Sequence, residues 1–249
     1  MTRPVVLIDN KDSFTANLWQ LLAAQCADAP VHVVRHDALS YAELLALAPA
    51  LIVLSPGPGH PQSAQDVGLC APVIDHAATH GIPVFGVCLG LQAIIHQLGG
   101  LVRPAPQLVH GKTSALSISP DHWLFTDIPA PMTVMRYHSF VGDSATIPDA
   151  LVPVAWTQPD DPLGDGTPLL MAAAHRTLPM AGVQFHPESI GTPHGAQLLR
   201  NVLTWAGLPT QAATPLFATE TSLPPAFREA TQPHQPTHST QTMPTAMAT

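Results

Sequence analysis

Short apolar runs alternate with helix-like segments over the first hundred residues of the chain. Strands that alternate with helices form βαβ units, so this half of the chain predicts a parallel sheet. The runs that predict buried strands are Val5–Ile8, Val31–Val34, Leu51–Leu54 and Pro83–Val87. The predicted helices run from Asp12 or Ser13 to Leu22, from Ser40 onward, from about Val67 to His80 (with Gly81 as a left-handed cap), and from Leu89 to Leu98.

The pattern changes after Gly100. From Leu101 to Phe185, short apolar runs separated by Pro, Gly and Asp predict further, partly antiparallel strands. The segment Gly195–Trp205 predicts a last helix. The sequence therefore predicts an α/β fold whose central, mostly parallel sheet carries additional antiparallel strands.

Composition changes again after Gly207. Residues 208–249 are rich in Thr, Pro, Gln and Ala, and the last twenty carry no charged side chain if His is neutral. Such a segment has too few large apolar groups to offset the entropy of ordering it. We therefore predict one domain over residues 1–207 and a disordered tail over residues 208–249. The alternative is a partner-binding peptide around Phe217–Phe227.

Charge and cysteine content argue against several classes of protein. The net charge is −8, from 9 basic and 17 acidic residues, and no Lys/Arg block points to nucleic acid. No apolar run reaches the roughly 18 residues of a membrane span, and Asp9 comes too early for a signal peptide. Three cysteines favour a reducing cytoplasm over a disulfide framework. Only 10% of the residues are charged, which suggests that a partner covers part of the surface.

The segment Gly86-Val-Cys88-Leu-Gly90 carries the first candidate chemistry. A β-type run enters it, a helix leaves it and two glycines flank the cysteine, which is the pattern of a nucleophile elbow. The N-terminus of the following helix favours a thiolate at Cys88, and the backbone N–H of Leu89 points to where an oxyanion would form. A small buried cysteine in a tight turn gives the same pattern.

A nucleophilic cysteine needs a base, and the base needs an orienting group. Gly182–Phe185 is a predicted strand that leads into His186. Glu188 comes two positions later, on the same side of an extended segment, where it can orient the imidazole. The chain has 14 histidines, so His186 is a strong candidate for the base only in combination with the elbow.

A loop of prolines and glycines follows the third predicted strand. In Ser55-Pro-Gly57-Pro58-Gly59 the prolines stiffen the chain, and the glycines let backbone N–H groups approach a ligand closely. Taken alone, the loop fits an ordinary tight turn equally well.

In this order, the motifs resemble those of the class I (triad) glutamine amidotransferases. More narrowly, they resemble the glutaminase subunits of anthranilate synthase and aminodeoxychorismate synthase, over about residues 4–206. The segments that carry the resemblance are Asp9-Asn10-x-Asp12-Ser-Phe-Thr-x-Asn17-Leu, Ser55–Gly59, Gly86–Gly90 with Gln92, His110-Gly-Lys112, Arg136-Tyr-His-Ser139 and Gly182–Ser189.

The resemblance implies a flavodoxin-like three-layer domain and a role for each matching residue. It implies Cys88 as the nucleophile, His186 as the general acid and base, and Glu188 as the carboxylate that orients the imidazole. The backbone amides of Gly57 and Leu89 would form an oxyanion hole. The residues that would hold glutamine are Gln92, the loop Gly57-Pro58-Gly59, and the backbone of Ser139 and Phe140.

The resemblance also implies a reaction and a partner. L-Glutamine would be hydrolysed through a thioester, and the ammonia would pass to a chorismate-using synthase subunit (component I) in a heteromeric complex. The product would be anthranilate, 4-amino-4-deoxychorismate or both, and His110-Gly-Lys-Thr-Ser114 leans toward the second, folate-pathway member. No cofactor or metal is implied in this subunit, whereas Mg²⁺ is expected in the synthase partner.

Two departures from the family pattern and two other interpretations stay open. Leu91 stands where the family often has His, and Gln62–Val67 lacks the usual acidic-Ala-Gly pattern, which leaves the partner-facing part of the Pro-Gly loop open. A free-standing α/β-hydrolase with a cysteine nucleophile would place its acid before the histidine, whereas the candidate acid here follows it. A catalytically silent binding subunit would have no need of Cys, His and Glu together.

Overall fold

A computed structural model describes residues 2–211 of the chain, without the side chain of Ala78, and contains one sheet with helices on both of its faces. The strands are β1 (Val5–Asp9), β2 (Val31–Arg35), β3 (Leu51–Leu54), β4 (Val84–Val87), β5 (Val102–Ile118), β6 (Met132–Gly142), β7 (Leu151–Thr157), β8 (Leu170–His175) and β9 (Met180–Val183). The helices are α1 (Thr15–Gln25), α2 (Tyr41–Ala46), α3 (Ala64–Val67), α4 (Cys70–His80), α5 (Leu89–Gln97) and α6 (Gly195–Trp205).

The sheet runs in the order β2-β1-β3-β4-β9-β8-β7-β5-β6. The first five strands in this order pair in parallel, whereas β8, β7, β5 and β6 pair antiparallel. The parallel part has the strand order of a flavodoxin-like sheet. The α/β fold with a parallel sheet and additional antiparallel strands is therefore confirmed.

Alternating side chains of β1 show how the three layers are held together. Val5 and Leu7 pack into the apolar core that contains residues of α1 and α6, whereas Val6 and Ile8 pack into the core formed with α2, α4 and α5. All four side chains are fully buried. A strand with both faces covered has to be apolar at every position, which explains its continuous hydrophobic run.

Several predicted elements differ from the observed ones. The strand predicted over Gly182–Phe185 lies two residues earlier, as β9. The helix predicted over Val67–His80 is two helices, α3 and α4, because Gly68 has φ +40° and a Cβ there would collide with the carbonyl oxygen of His36. The short strands predicted after Gly100 begin instead with β5, a single strand of 17 residues. Register shifts along its pairing with β6 interrupt the ladder and let so long a strand bend.

The first residues of the predicted tail belong to the folded domain. Leu208 is buried, and the backbone N–H groups of Ala27 and Gln211 donate to the carbonyls of Pro209 (3.3 Å) and Gln25 (2.9 Å). These bonds attach residues 208–211 to the end of α1. The rest of the predicted tail, with Phe217 and Phe227, lies outside the described residues. Within residues 2–211, no helix is long and apolar enough to cross a membrane.

Candidate active site

The candidate residues follow the carboxyl ends of neighbouring parallel strands. The strands β1, β3, β4 and β9 lie side by side in the sheet. They are followed by Asn10, Ser55–Gly59, Cys88 and, three residues after the end of β9, His186. Parallel strands end at the same edge, and such an edge is where open α/β sheets bind ligands. The topology thus brings together four motifs that lie far apart in the sequence.

Cys88 occupies a strained turn between β4 and α5. Its backbone has φ +51° and ψ −104°, and its N–H donates to the carbonyl of Val183 on β9 (2.8 Å). A Cβ on Gly86 would lie 2.5 Å from the carbonyl carbon of Gly90, and a Cβ on Gly90 would collide with the carbonyl oxygen of Leu54. The turn therefore requires both glycines of the predicted elbow. A positive φ at a non-glycine residue stores strain of the kind found at functional sites.

His186 and Glu188 form a short buried pair. The distance from His186 Nδ1 to Glu188 Oε1 is 2.5 Å, and the two residues are 2% and 7% exposed. An ionised carboxylate only accepts hydrogen bonds, so the bond places a proton on Nδ1. The other ring nitrogen, Nε2, has no hydrogen-bond partner within the described part of the chain.

Opposing effects set the charge of His186. Burial lowers the pKa of its imidazole, but interactions with Cys88 and Glu188 outweigh this effect and hold the pKa well above its usual value. Nearby, burial raises the pKa of Asp12, and the charges of Glu188 and Asp9 act in the same direction. The site therefore favours a protonated imidazole beside the sulfur.

Asn10 holds the Pro-Gly loop against the elbow. Its backbone N–H donates to Ser55 Oγ (2.9 Å), and its side-chain amide donates to the Ser55 carbonyl (2.8 Å). A Cβ on Gly57 would lie 2.6 Å from the Asn10 carbonyl oxygen and 3.0 Å from the Leu89 side chain. Gly57 and Leu89 are thus neighbours, and Leu89 begins α5, where N–H groups lack acceptors within the helix.

The segment that departs from the family pattern, Gln62–Val67, supports the same loop. The carboxylate of Asp66 accepts a hydrogen bond from the backbone N–H of His60 (3.0 Å). Gly59, with φ +100°, packs so closely on this carboxylate that a Cβ would collide with it. The His60 ring lies edge-on to Phe140, with 4.8 Å between centroids. The departure thus contains a residue, Asp66, that fixes the end of the loop.

The second departure, Leu91, lies in the core of the domain. It is 1% exposed and packs with the apolar residues of α5. A Cβ added to Gly182 on β9 would lie 3.2 Å from the Leu91 Cβ. In this chain the position therefore fills space between α5 and the sheet.

The residues predicted to hold glutamine lie on α5, β6 and the Pro-Gly loop. Gln92 is 3% exposed, and its side-chain amide donates to the carbonyl of Phe140 (2.9 Å). Ser139, Pro58 and Gly59 are exposed. The structure thus brings Gln92 and Phe140 into direct contact and leaves the other three residues accessible to a ligand.

Aromatic rings close one side of His186. The ring of Tyr137 lies edge-on to the imidazole with 5.1 Å between centroids, and that of Phe14 at 6.4 Å. Beyond these rings lies an open groove of about 660 Å³, which Glu188 and the fully exposed Ile190 also line. Among residues 2–211, no group of three or more His, Cys, Asp and Glu side chains is arranged to hold a metal ion.

A buried polar network supports β6. Arg136 is fully buried and donates to Asp161 (2.7 Å), Ser114 (2.9 Å) and the Nε2 atom of His138 (3.0 Å). Burial, followed by the charges of Arg136 and His186, lowers the pKa of His138 to about 3, so its ring stays neutral. The network fixes the strand that carries Ser139 and Phe140.

Sequence reasoning assigned no role to Gln184, Asp66 or Arg136. Gln184 is the one polar residue in the apolar run that predicted a strand over Gly182–Phe185, and it comes two positions before His186, so this signal was available in the sequence. Asp66 and Arg136 gave no comparable local signal, because their partners are fixed by the tertiary fold.

Comparison with known proteins identifies the family of the chain. Residues 6–205 match the family model described as glutamine amidotransferase class-I, and the chain belongs to this family. Two proteins named anthranilate synthase component 2 are similar to it. The one from Azospirillum brasilense is 44% identical over 80% of this chain and 94% of that protein. The one from Pseudomonas aeruginosa is 45% identical over 82% of this chain and 96% of that protein.

A solved structure shows the same fold at lower sequence identity. The crystal structure of a Thermoplasma acidophilum protein, described as part of a GMP synthase, has a TM-score of 0.68 and 22% identity. The match covers 83% of this chain and 95% of the other. The likeness extends the fold assignment to the whole domain.

The raised pKa of His186 predicts a pH-dependent contribution to stability. A histidine whose pKa is higher in the folded state stabilises the fold fully below its unfolded pKa of about 6.5, and this contribution is lost as pH rises through the folded-state value. We expect the free energy of unfolding lost in His186→Gln to be largest near about pH 6 and to shrink on the alkaline side. Urea denaturation at stepped pH measures it. The exposed His32 gives the matched control, His32→Gln, which removes a surface histidine without touching the His186–Glu188 pair. A loss of unfolding free energy in His186→Gln that stays the same at every pH would contradict a raised pKa of His186.

Proposed function

We propose that this chain is the glutaminase subunit of an anthranilate synthase. It hydrolyses L-glutamine through Cys88, His186 and Glu188 and delivers ammonia to a chorismate-using synthase subunit. The observation that carries the proposal is the buried His186–Glu188 pair at the end of the strand beside the Cys88 elbow. The relatives named anthranilate synthase component 2, each covered over more than nine tenths of its length, support the choice of reaction.

The first half of the reaction forms a thioester. The Cys88 thiolate attacks the side-chain amide carbon of glutamine, and the carbonyl oxygen becomes an oxyanion. The backbone N–H groups of Gly57 and Leu89 stabilise this charge. His186, protonated at Nε2, gives its proton to the departing nitrogen, which leaves as ammonia while the γ-glutamyl group stays on the sulfur.

The second half of the reaction restores the enzyme. Neutral His186 takes a proton from a water molecule, and the resulting hydroxide attacks the thioester carbon. The carbon–sulfur bond breaks, glutamic acid leaves and loses its proton to solvent, and the thiolate and imidazolium are regenerated. Glu188 keeps the proton on Nδ1 throughout and stabilises the imidazolium, so that Nε2 alone exchanges protons.

Glutamine binds beside Gln92 in this proposal. The Gly57-Pro58-Gly59 loop and the backbone of Ser139 and Phe140 contribute the remaining polar contacts. The contact of His60 with Phe140 keeps the loop and β6 together, which supports a single binding site between them. No cofactor or metal takes part in these steps, and Mg²⁺ is expected only in the synthase partner.

Ammonia transfer requires a partner that covers the site. In water at neutral pH, ammonia is nearly all protonated and no longer a nucleophile. In this proposal the partner covers the open groove that Glu188 and the fully exposed Ile190 line. The three cysteines are free and buried, which supports a reducing, cytoplasmic setting. The similar proteins named above favour anthranilate over 4-amino-4-deoxychorismate as the product.

Replacing the nucleophile tests the proposal. In the complex with its synthase subunit, Cys88→Ser should lower glutamine-dependent anthranilate formation by at least about a thousandfold. Ammonia-dependent formation should persist, because free ammonia enters the reaction after the thioester. Product formation with each nitrogen source measures both. Cys26→Ser, at the buried cysteine that follows the end of α1, is the matched control and should keep both activities. Retained glutaminase activity in Cys88→Ser would refute the assignment.

Partner binding should raise turnover. Cys88 is 6% exposed, and the glycines of the Pro-Gly loop let its peptides reorient at low steric cost. We expect the isolated chain to hydrolyse glutamine slowly and the rate to rise about tenfold or more with the synthase subunit and chorismate. The change should appear mainly in kcat, since Gln92 is already in place. Glutamate release with and without the partner measures it, and equal turnover would show a site that is complete without the partner.

A further inference from the structure

A chain of amide hydrogen bonds links the candidate glutamine site to the nucleophile. The side-chain amide nitrogen of Gln92 donates to the carbonyl of Phe140 (2.9 Å) and to Oε1 of Gln184 (3.1 Å). The amide nitrogen of Gln184 lies 3.4 Å from the sulfur of Cys88. Three elements, β6, α5 and the end of β9, are connected through these four residues.

The chemistry of the acceptors fixes the direction of this chain. A backbone carbonyl such as that of Phe140 only accepts, so the Gln92 group that faces it is the NH₂. The second hydrogen of this NH₂ points at Gln184, which must therefore present its oxygen. The NH₂ of Gln184 is then left to face Cys88, so both amide orientations follow from one carbonyl.

Burial makes these bonds hard to replace. Gln184 is fully buried and Gln92 is 3% exposed, so no bulk water is available to satisfy their amides. The backbone N–H of Gln184 also donates to Met171 on β8 (2.8 Å), which fixes the start of its side chain. A buried amide that has no hydrogen-bond partner is destabilising because its desolvation is not compensated. The arrangement in which both amides are hydrogen-bonded is therefore favoured.

The other buried cysteine near the site has the opposite environment. The thiol of Cys70 donates to the side-chain oxygen of Asn10 (3.3 Å), and burial raises the pKa of this thiol to about 12. Cys88 faces an N–H donor instead of an acceptor. A donor stabilises a thiolate, whereas an acceptor requires the proton to stay on sulfur.

We infer that Gln184 is a positioning residue that donates a hydrogen bond to the Cys88 sulfur and holds the Gln92 amide in its substrate-binding orientation. The inference rests on the proposed function. The donor favours the thiolate before attack and again when the sulfur leaves the thioester. The Oε1 atom of Gln184 accepts from Gln92 and so couples the orientation of the Gln92 amide to the position of the Cys88 sulfur.

Two substitutions separate these effects. Gln184→Met has a similar length but offers no N–H donor to the sulfur and no oxygen acceptor to Gln92. Gln184→Glu keeps an oxygen for Gln92 and turns a second oxygen toward the sulfur in place of the N–H. Both variants keep His186, with Glu188 and Asp12 behind it, and the neutral His138 on β6. Gln184→Glu in addition places one carboxyl group beside the sulfur, which is why its effect should be the larger.

The first measurement is the pH profile of Cys88 alkylation in the full chain. Iodoacetamide labelling, scored by peptide mass, reports the thiolate without requiring glutamine turnover. The midpoint of the profile should move to higher pH by about one unit in Gln184→Met and further in Gln184→Glu. The buried Gln25, which donates to Leu21 on α1, provides the control Gln25→Met, whose profile should match the wild type.

The second measurement is the kinetics of glutamine hydrolysis in the complex. Gln184→Met should raise KM for glutamine about fivefold or more, because Gln92 loses its acceptor. Gln184→Glu should keep KM near the wild-type value and lower kcat, since only the bond to the sulfur is lost.

The outcomes are distinguishable from a failure of the proposed function. If Cys88→Ser retained glutaminase activity, the proposed function would fail whatever the Gln184 variants did. An alkylation profile equal to the wild type in both Gln184 variants would overturn the bond to the sulfur. An unchanged KM in Gln184→Met would overturn the hold on Gln92. Should Gln184→Met fail to fold by circular dichroism, Gln184→Glu alone still tests the bond to the sulfur.

Discussion

The close parallel pairing of β4 with β9 is the contact on which the candidate site depends. Gly86 lies opposite Gly182 in this pair, and a Cβ on Gly182 would come within 2.6 Å of the Gly86 carbonyl oxygen. The hydrogen bond from Cys88 N–H to the Val183 carbonyl (2.8 Å) continues the pairing into the turn. Because both strands end at one edge, nucleophile and histidine meet there. A larger side chain at Gly182 would push β9 away from the Gly86 carbonyl, whereas one at Gly86 would push the start of α5 away from β4. Either change would displace the Cys88 turn.

The parallel half of the fold was accessible from the sequence because its strands are buried on both faces and read as continuous apolar runs. The observed bounds of Leu51–Leu54 and Gly195–Trp205 equal the predicted ones. The break at Gly68 depends on a contact with His36, 32 positions away, and no local pattern reports such a contact. The long strand β5 was missed for a similar reason, since its regularity comes from pairing with β6 across bulges.

The residues of the candidate site also fall into two groups, those that a local motif singles out and those that only the tertiary fold connects. The sequence singled out Cys88, His186 and Glu188 as candidates because each lies in a short motif whose spacing is typical of this chemistry. Gln184 bonds to Gln92 and Cys88, which lie 92 and 96 positions before it in the sequence. Arg136 bonds to Asp161 and Ser114 across 25 and 22 positions. These polar side chains are buried, so their meaning depends on partners that only the tertiary structure supplies. Local motifs thus point to the candidate reacting groups, whereas the side chains that hold these groups in place can be identified only from the tertiary structure.

The proposed reaction requires a covalent γ-glutamyl intermediate on Cys88. The most direct measurement is the mass of peptides from enzyme that is quenched with acid while it turns over glutamine together with its synthase subunit. We expect one γ-glutamyl group on the peptide that contains Cys88, and none on any peptide of Cys88→Ser treated in the same way. Steady glutamate release with the γ-glutamyl group on another residue, or with no modified peptide under conditions that preserve thioesters, would contradict it.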